Sequence, residues 1–395
     1  MTISKTTPSR RTIVTGAGAL ITATALPTRF AIAQAKPIKL GLMLPYSGTF
    51  AKLGENITHA VEMVLAENGG KLGGREIQVI KLDDESKPEA GPQNAERLVK
   101  RDGVDVLIGT VHSGVQMGIH KVVKESGTLT IVPNAGNVGV TRELCAKNVF
   151  RTSFSNWQPA YGMGLALAKK GAKTAAWVTW DYAAGNESRD GFKEGFEKGG
   201  GKFITTLNLK FPETNFQPLL AQIPGLGVDA IGAFFAGGGA VQFVKDYAAA
   251  GIKVPLCGSG FLTEGTLEAQ GAAAEGIETA LHYGDGIDNP KNNAFRAAFK
   301  TKAGRDADVY AVQGYDAAQL LAIGLAGVKG NMEDEANLYK AMREAKIDSP
   351  RGSVSMSPSQ DIVQNIYLRK VTGGQNKVIG IAAANLADPG TGCKA

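Results

Sequence analysis

Residues 103–109 read GVDVLIG, and residues 227–237 read GVDAIGAFFAG. In both stretches, Gly-Val-Asp opens a short apolar run that ends in a glycine-containing loop, and a helical pattern follows. A buried strand that leads through such a loop into a helix is the repeating unit of parallel α/β sheets. The repetition therefore predicts two similar α/β lobes.

The rest of the chain alternates short Val/Ile/Leu-rich runs with amphipathic helical patterns. This alternation predicts an α/β fold with doubly wound parallel sheets, covered by helices on both faces. The predicted strands are 38–44, 77–82, 104–108, 129–132, 174–179, 202–209, 230–235 and 254–256. The predicted helices are 56–68, 91–101, 115–125, 160–170, 188–198, 216–222 and 240–250. Residues 152–157, 278–283 and 349–357 are candidate crossings between the lobes, and such crossings permit hinge closure around a ligand.

Residues 1–35 have the pattern of a secretory signal peptide. Arg10 and Arg11 precede an uncharged apolar stretch, residues 12–26, that is too short to span a bilayer comfortably. Two small-x-small cleavage sites follow within residues 31–35. The paired arginines predict twin-arginine export, with a Sec-type route as the alternative, and the predicted location is the periplasm.

The charge balance argues against a nucleic-acid partner. The first 35 residues hold four basic and no acidic side chains, so removing them lowers the formal net charge from +6 to +2. The remaining sequence has no clustered basic stripe of the kind that tracks a phosphate backbone.

The three cysteines, Cys145, Cys257 and Cys393, are too few for a disulfide scaffold. Cys257 ends an apolar strand-like run, so Cys145 with Cys393 is the preferred pair in an oxidising compartment. Three unpaired thiols are the alternative, because connectivity cannot be read from one sequence.

The sequence predicts no enzyme, metal site or cofactor. It contains no phosphate-binding loop, and Gly258-Ser259-Gly260 lacks the preceding glycine of a nucleophile elbow. No pair or cluster that includes a histidine has metal-ligand spacing. No nucleophile has a recognisable base beside it.

The strongest binding signal is the segment 108–114, in which a buried strand ends and a helix begins. Ser113 stands where an N-cap would, and the first-turn N–H groups of this helix would face the cleft. A helix N-terminus favours anions, so it could bind a ligand carboxylate. The alternative is that Ser113 only caps its own helix.

Several other loops follow predicted strands and are expected to reach the same cleft. Residues 133–137 offer Asn134 as donor and acceptor, with an ordinary turn as the alternative. Phe50 could wall the cleft or belong to the core. In the second half, the corresponding loops are 181–185, 236–239 and 258–261.

With these loops in place, residues 38–380 resemble the periplasmic leucine/isoleucine/valine-binding protein family, the type I solute receptors of ABC importers. The motifs that carry the resemblance are Ser47-Gly48, Leu72-Gly73-Gly74-Arg75, Asp83-Asp84, Phe150-Arg151-Thr152, Asp181-Tyr182-Ala183 and Gln313-Gly314-Tyr315-Asp316-Ala317. The resemblance implies two lobes joined by three hinge crossings that close over a small solute and deliver it to a membrane permease. It places residues 36–155 with 282–350 in the first lobe, and residues 156–281 with 351–395 in the second.

The resemblance also assigns site residues by position. Ser113 matches the family serine that binds the ligand carboxylate, with His112 just before it. Asn134, Ala135 and Gly136 match a second loop on the carboxylate side. Tyr310 matches an aromatic position near the pocket, and Tyr182 and Phe261 fall in the loops expected from the second lobe.

Departures from the family pattern concern the ligand. Ala184 and Gly238 stand at positions where amino-acid-binding members often carry aromatic residues. The acid that pairs with a ligand ammonium is replaced, closest to Gly260, with Glu264 and Asp181 as candidates to restore it. Burying an ammonium without a carboxylate is strongly unfavourable.

The predicted ligand is therefore an aromatic or other organic acid rather than a plain amino acid. A branched-chain amino acid receptor and a ligand-sensing subunit of a signalling system remain the alternatives. A secreted α/β enzyme is a third reading.

Overall fold

The structure is a computed structural model, and it describes residues 36–394. The predicted signal peptide and its export route lie outside these residues. The strands are β1 Ile38–Leu44, β2 Lys71–Leu72, β3 Arg75–Asp83, β4 Val106–Gly109, β5 Leu129–Val132, β6 Val149–Arg151, β7 Thr174–Asp181, β8 Lys202–Lys210, β9 Ala230–Phe234, β10 Leu256–Ser259, β11 Glu278–Leu281, β12 Ser355–Met356, β13 Ile362–Thr372 and β14 Gln375–Leu386. The α-helices are α1 Ala51–Glu67, α2 Gly91–Glu96, α3 Ser113–Ser126, α4 Trp157–Lys169, α5 Ala183–Lys198, α6 Gln217–Leu220, α7 Gly237–Ala249, α8 Leu267–Gln270, α9 Pro290–Ala303, α10 Val309–Gly327 and α11 Glu335–Arg343.

The strands form two sheets with the same central order. The first sheet runs β2-β3-β1-β4-β5-β6, and the second runs β12-β13-β11-β10-β9-β7-β8 with β14 paired to β13. In each, five parallel strands follow the pattern 2-1-3-4-5 of doubly wound folds. We refer to each sheet with its covering helices as a lobe. The predicted fold class, two similar doubly wound lobes, is confirmed.

The two Gly-Val-Asp repeats occupy equivalent places in the two sheets. Gly103 and Gly227 end the preceding helical turns with φ of 64° and 60°, a conformation that favours glycine. The Asp105 carboxylate accepts a hydrogen bond from the Lys39 backbone N–H beside β1. The Asp229 carboxylate likewise accepts from the Lys173 and Thr174 N–H groups at the start of β7. Each aspartate therefore secures the strand next to its own, which explains why the motif recurs.

Part of the second sheet is antiparallel, and the sequence pattern did not predict these strands. β13 and β14 form a long hairpin across Gly373 and Gly374, whose φ values are 61° and 75°. β12 also pairs antiparallel with β13. Positive φ at both turn residues matches the right-handed twist of a tight hairpin. Residues 278–281, expected to belong to a crossing, instead form β11, and the crossing begins at His282.

Buried arginines surround the segments that connect the lobes. Arg351 forms an ion pair with Asp316 at 2.8 Å and donates to the Ser153 backbone oxygen at 3.1 Å. Arg151 is fully buried against Asp361. An unpaired charge at such a depth would be strongly destabilising, so these pairs hold the connecting segments in one arrangement.

The C-terminal residues return from β14 to the first lobe. Asp388 accepts two hydrogen bonds from Arg142, at 2.8 and 2.9 Å. Cys393 is joined to Cys145 by a disulfide, and Cys257 is a buried free thiol in β10. The lobe boundaries inferred from the family place residues 351–395 in the second lobe, and we keep them as a proposal.

Candidate ligand-binding site

A cavity lies between the lobes, where the carboxyl ends of both sets of parallel strands meet, and its empty space, including the part open to solvent, is about 310 Å³. This position is the usual ligand site of open α/β sheets. The cavity is lined by Phe50, Leu53, Val111, Ser113, Asn134, Gly136, Phe154, Asn156, Tyr182, Ala184, Phe234, Ala236, Phe261 and Tyr310.

Six of the fourteen residues that line the cavity are aromatic. The ring centroid of Phe261 lies 4.7 Å from that of Phe154 and 6.0 Å from that of Tyr310. None of the fourteen lining residues carries a charge. Their polar side-chain groups are the Ser113 hydroxyl, the amides of Asn134 and Asn156, and the two tyrosine hydroxyls. Such a space suits a flat apolar ring that carries a few polar groups.

The start of α3 differs from the prediction, because His112 rather than Ser113 is the N-cap. The His112 Nδ1 atom accepts from the backbone N–H groups of Gly114, at 3.0 Å, and Val115, at 3.3 Å. Ser113 is the first helical residue, and its hydroxyl accepts a hydrogen bond from Asn156 Nδ2 at 3.2 Å. Within residues 36–394, the Ser113 N–H has no hydrogen-bond partner. The Ser113 hydroxyl and N–H are therefore not used for capping.

His112 itself lies behind the cavity wall rather than on it. Its ring stacks on Tyr182 at 4.9 Å and packs against Phe211 at 4.8 Å, so it joins aromatic residues of the two lobes. Burial lowers the pKa of His112 to about 4, and the ring is neutral at neutral pH. Its contribution is to hold the helix start in place.

The second predicted loop contributes two of its three expected residues. Asn134 borders the cavity, and its amide donates to Gln313 at 2.7 Å. Gly136 also borders it, and a Cβ there would lie 2.5 Å from Asn156 Oδ1 and 2.6 Å from the Phe154 ring. Ala135 is not a lining residue, because it packs in the core of the first lobe. Close contact with Asn156 and Phe154 thus leaves no room for a side chain at Gly136.

In the second lobe, Tyr182, Ala184 and Phe261 line the cavity, whereas Gly238 and Gly260 do not. Helix α7 begins at Gly237 with Ala236 as its N-cap, so Ala236 borders the cavity and Gly238 is exposed. Gly260 is buried beneath the site, where a Cβ would lie 2.4 Å from Leu281 Cβ. The expected positions were therefore offset from the residues that reach the ligand space.

Neither candidate acid is available to a ligand ammonium. The Glu264 carboxylate forms an ion pair with Arg369 at 2.5 Å and accepts from the Val309 N–H at 2.7 Å. Burial raises the pKa of Glu264 to about 7, although Arg369 acts in the opposite direction. Asp181 is exposed and accepts from Asn186. In residues 36–394, no group of three or more His, Cys, Asp or Glu side chains could hold a metal ion.

Phe154, Asn156 and Phe234 line the cavity but were not predicted as site residues. Phe154 and Asn156 belong to a segment identified only as a crossing between lobes. Asn156 Nδ2 bonds both to Ser113 and to Glu187 Oε2, the latter at 2.7 Å. The crossing at residues 152–157 therefore contributes to the site. Its sequence pattern does not predict that contribution.

The comparisons with known proteins agree with this architecture. The sequence model of the periplasmic binding protein family matches residues 37–376, so the chain belongs to that family, whose members are solute-binding proteins. Leu/Ile/Val-binding protein homolog 6 of Brucella melitensis is 30% identical over 348 residues, covering 86% of this chain and 88% of that protein. The resemblance read from the sequence is confirmed. Among residues 36–394, no helix combines the length and apolarity needed to cross a membrane.

Solved structures add information on relatives' ligands. An ABC-transporter solute-binding protein from R. palustris, in complex with benzoate, is 48% identical; the alignment covers 91% of this chain and 100% of that one, with a TM-score of 0.89. A second from Rhodopseudomonas palustris BisB5, in complex with 3,4-dihydroxybenzoic acid, is 32% identical over 90% and 99% of the two chains, with a TM-score of 0.84. A leucine-binding protein of Thermotoga maritima, 20% identical over 87% and 98% of the two chains with a TM-score of 0.79, shares the fold.

Proposed function

We propose that this protein is the periplasmic solute-binding component of an ABC importer and that it captures an aromatic carboxylate between its lobes. The observation that carries the proposal is the uncharged, aromatic-walled cavity with the start of α3 at its edge. Export through residues 1–35 and delivery to inner-membrane permease subunits complete this function.

The carboxylate would bind at the N-terminus of α3. The Ser113 hydroxyl and N–H lie there, and the positive end of the helix dipole stabilises an anion. Asn134 also borders the cavity, and its amide donates one hydrogen bond to Gln313, which leaves its second N–H for a ligand. Hydrogen bonds to an ionised group are stronger than those between neutral groups, so no arginine or lysine is needed.

The same cavity is unsuited to an amino acid. A bound ammonium would be buried among aromatic rings with no carboxylate to pair with, and that costs several kcal/mol. Glu264 is already paired with Arg369, and Asp181 lies outside the cavity. The names of the curated relatives favour the alternative, a branched-chain amino acid receptor, but the lining favours an acid without an amino group.

Binding would proceed by closure of the lobes around the solute. Cross-cleft contacts such as Tyr182 on His112 exist only when the lobes are together. A ligand that fills the cavity adds contacts to both lobes and so favours the closed form over the open one. The closed form is then the shape presented to the permease.

A thermal-shift screen of residues 36–395 against benzoate, hydroxybenzoates and leucine-like amino acids tests this proposal. A ligand that binds only the native state must raise the melting temperature. We expect benzoate-like acids to raise it and leucine, isoleucine and valine to leave it unchanged. A shift with the amino acids alone would establish the amino-acid receptor instead.

A further inference from the structure

The hydroxyl of Tyr310 is a buried polar group without a partner at the cavity wall. Tyr310 is 1% exposed, and its Oη atom makes no hydrogen bond with any residue in 36–394. Burying a hydroxyl without a hydrogen bond is unfavourable, and a phenylalanine would fill the same volume without that cost. The hydroxyl is therefore available to a polar group of a ligand that fills the cavity.

The neighbouring carboxylates make their hydrogen bonds to other groups, and within residues 36–394 neither of them bonds to this hydroxyl. Asp308 accepts from Asn56 at 2.7 Å and from the Ala311 N–H at 3.0 Å. Glu264 is held by Arg369 and the Val309 N–H. Burial, and secondarily the nearby Asp308, Glu264 and Tyr182 side chains, raise the pKa of Tyr310 well above its usual range. The group is a neutral hydroxyl that can donate and accept.

Tyr310 contacts the second-lobe wall beside β10, whereas Ser113 is connected to that wall beside β7. The second-lobe wall runs from the end of β7, with Ala184, past β9 to the end of β10, with Phe261. Two strand spacings separate those ends, which is about 10 Å. Ser113 is tied through Asn156 to helix α5 at the β7 end.

Tyr310 packs at the β10 end. Its ring centroid is 6.0 Å from that of Phe261, and a Cβ built on Gly265 would lie 3.7 Å from its Cε2 atom. The cavity therefore has polar groups at both ends and aromatic rings between them.

We propose that the Tyr310 hydroxyl binds a second polar substituent of the ligand, on the side of the ring away from the carboxylate. The preferred ligands are then hydroxylated aromatic carboxylates rather than unsubstituted benzoate. This inference rests on the proposed function, since it assumes that the carboxylate occupies the Ser113 end.

Calorimetric titration of the wild type and Tyr310→Phe with benzoate, 3-hydroxybenzoate and 4-hydroxybenzoate tests the inference. We expect the wild type to bind at least one hydroxybenzoate more tightly than benzoate. Tyr310→Phe should weaken that hydroxybenzoate about tenfold, the size of one neutral hydrogen bond, and leave benzoate unchanged. Tyr315→Phe is the matched control, because its hydroxyl is bonded to Lys291 and Glu67 outside the cavity.

Other outcomes separate the two proposals. An equal loss for all three acids would mean that Tyr310 contacts the carboxylate, and no loss for any acid would mean that its hydroxyl is not used. Either result overturns the inference while aromatic-acid binding stands. Failure of the wild type to bind any of the acids would overturn both.

Discussion

At the scale of residues, two neighbouring side chains at the start of α3 have different roles, one in capping the helix and one in lining the cavity. His112 caps the helix with its ring nitrogen, and Ser113, the next residue, keeps its hydroxyl for the cavity. The side-chain oxygen of an N-cap serine would instead accept a hydrogen bond from a backbone N–H of the helix. The neutral state of His112 is essential to this arrangement, because only an unprotonated Nδ1 can accept.

Replacing Ser113 with alanine should lower the affinity for an aromatic carboxylate at least about tenfold, the value of a hydrogen bond to a charged group. Calorimetric titration with benzoate measures the loss. Ser126→Ala, at the last residue of the same helix, is the control and should bind as the wild type does. Unchanged affinity in Ser113→Ala would place the carboxylate elsewhere.

Because Gly136 has no side chain, Phe154 and Asn156, in the segment that crosses between the lobes, can pack against it. In Gly136→Ala, the added methyl group would overlap Asn156 and Phe154, so we expect a loss of about 1–3 kcal/mol in the free energy of unfolding and weaker ligand binding. Chemical denaturation measures the first effect. Gly139→Ala, whose nearest neighbour is the movable end of Glu143 at 3.1 Å, should have a much smaller effect, and equal losses in the two variants would refute the packing argument.

At the scale of elements, most strands of the two parallel sheets were predictable, and the antiparallel hairpin of β13 and β14 was not. Residues 38–44 and 129–132 match the bounds of β1 and β5, since strands covered on both faces are continuous apolar runs. β13 and β14 interleave apolar residues with Arg369, Lys370 and Lys377, and they were missed.

The same limit applies to the site. The family resemblance pointed to Gly238, whereas Ala236, the N-cap of α7, borders the cavity, and the Gly237-Gly238-Gly239 run has no side-chain cap to mark where the helix begins. Phe154 and Asn156 reach the cavity only because the chain crosses between lobes there, which no local pattern records. Residues at the carboxyl ends of apolar strands, such as Ser113 and Asn134, were within reach of sequence reasoning.

The disulfide near the C-terminus is expected to contribute to the free energy of unfolding. The Cys145–Cys393 disulfide ties the end of the chain to the first lobe across a sequence separation of 248 residues. Reduction should therefore lower the free energy of unfolding by about 2–4 kcal/mol. Denaturation of the wild type with and without reductant measures this, and the variant lacking both cysteines should not respond to reductant. An unchanged wild-type midpoint would show that the segment is held by other contacts.

At the scale of the whole molecule, Glu187 links the lobes, and we expect its protonation to be coupled to closure. It lies on α5 of the second lobe and accepts from the Val138 N–H of the first at 3.1 Å, as well as from Asn156. Burial raises the pKa of Glu187 to about 7, while Asn156, Val138, Arg151 and Arg142 act to lower it. In an open form, with the carboxyl in water, an ordinary pKa near 4.5 is expected, so closure takes up a proton between these values.

Ligand affinity should accordingly rise as the pH falls through 7, by up to about tenfold between pH 8.5 and 6. The ligand carboxylate stays ionised over this pH range, so a change in affinity would come from titration of a group of the protein. Glu187→Gln keeps the hydrogen-bond acceptor but not the titration, and its affinity should vary less with pH. The same pH dependence in both proteins would assign the effect to another group.

We expect the closed molecule to hold an aromatic acid in its uncharged cavity, with the carboxylate at the start of α3. Calorimetric titration of the wild-type protein with benzoate, benzamide and leucine tests this claim. We predict that benzoate binds, that benzamide binds at least about tenfold more weakly because it lacks the charge, and that leucine does not bind. Leucine binding more tightly than benzoate would contradict the claim, since it would require a partner for the ammonium that the cavity does not contain.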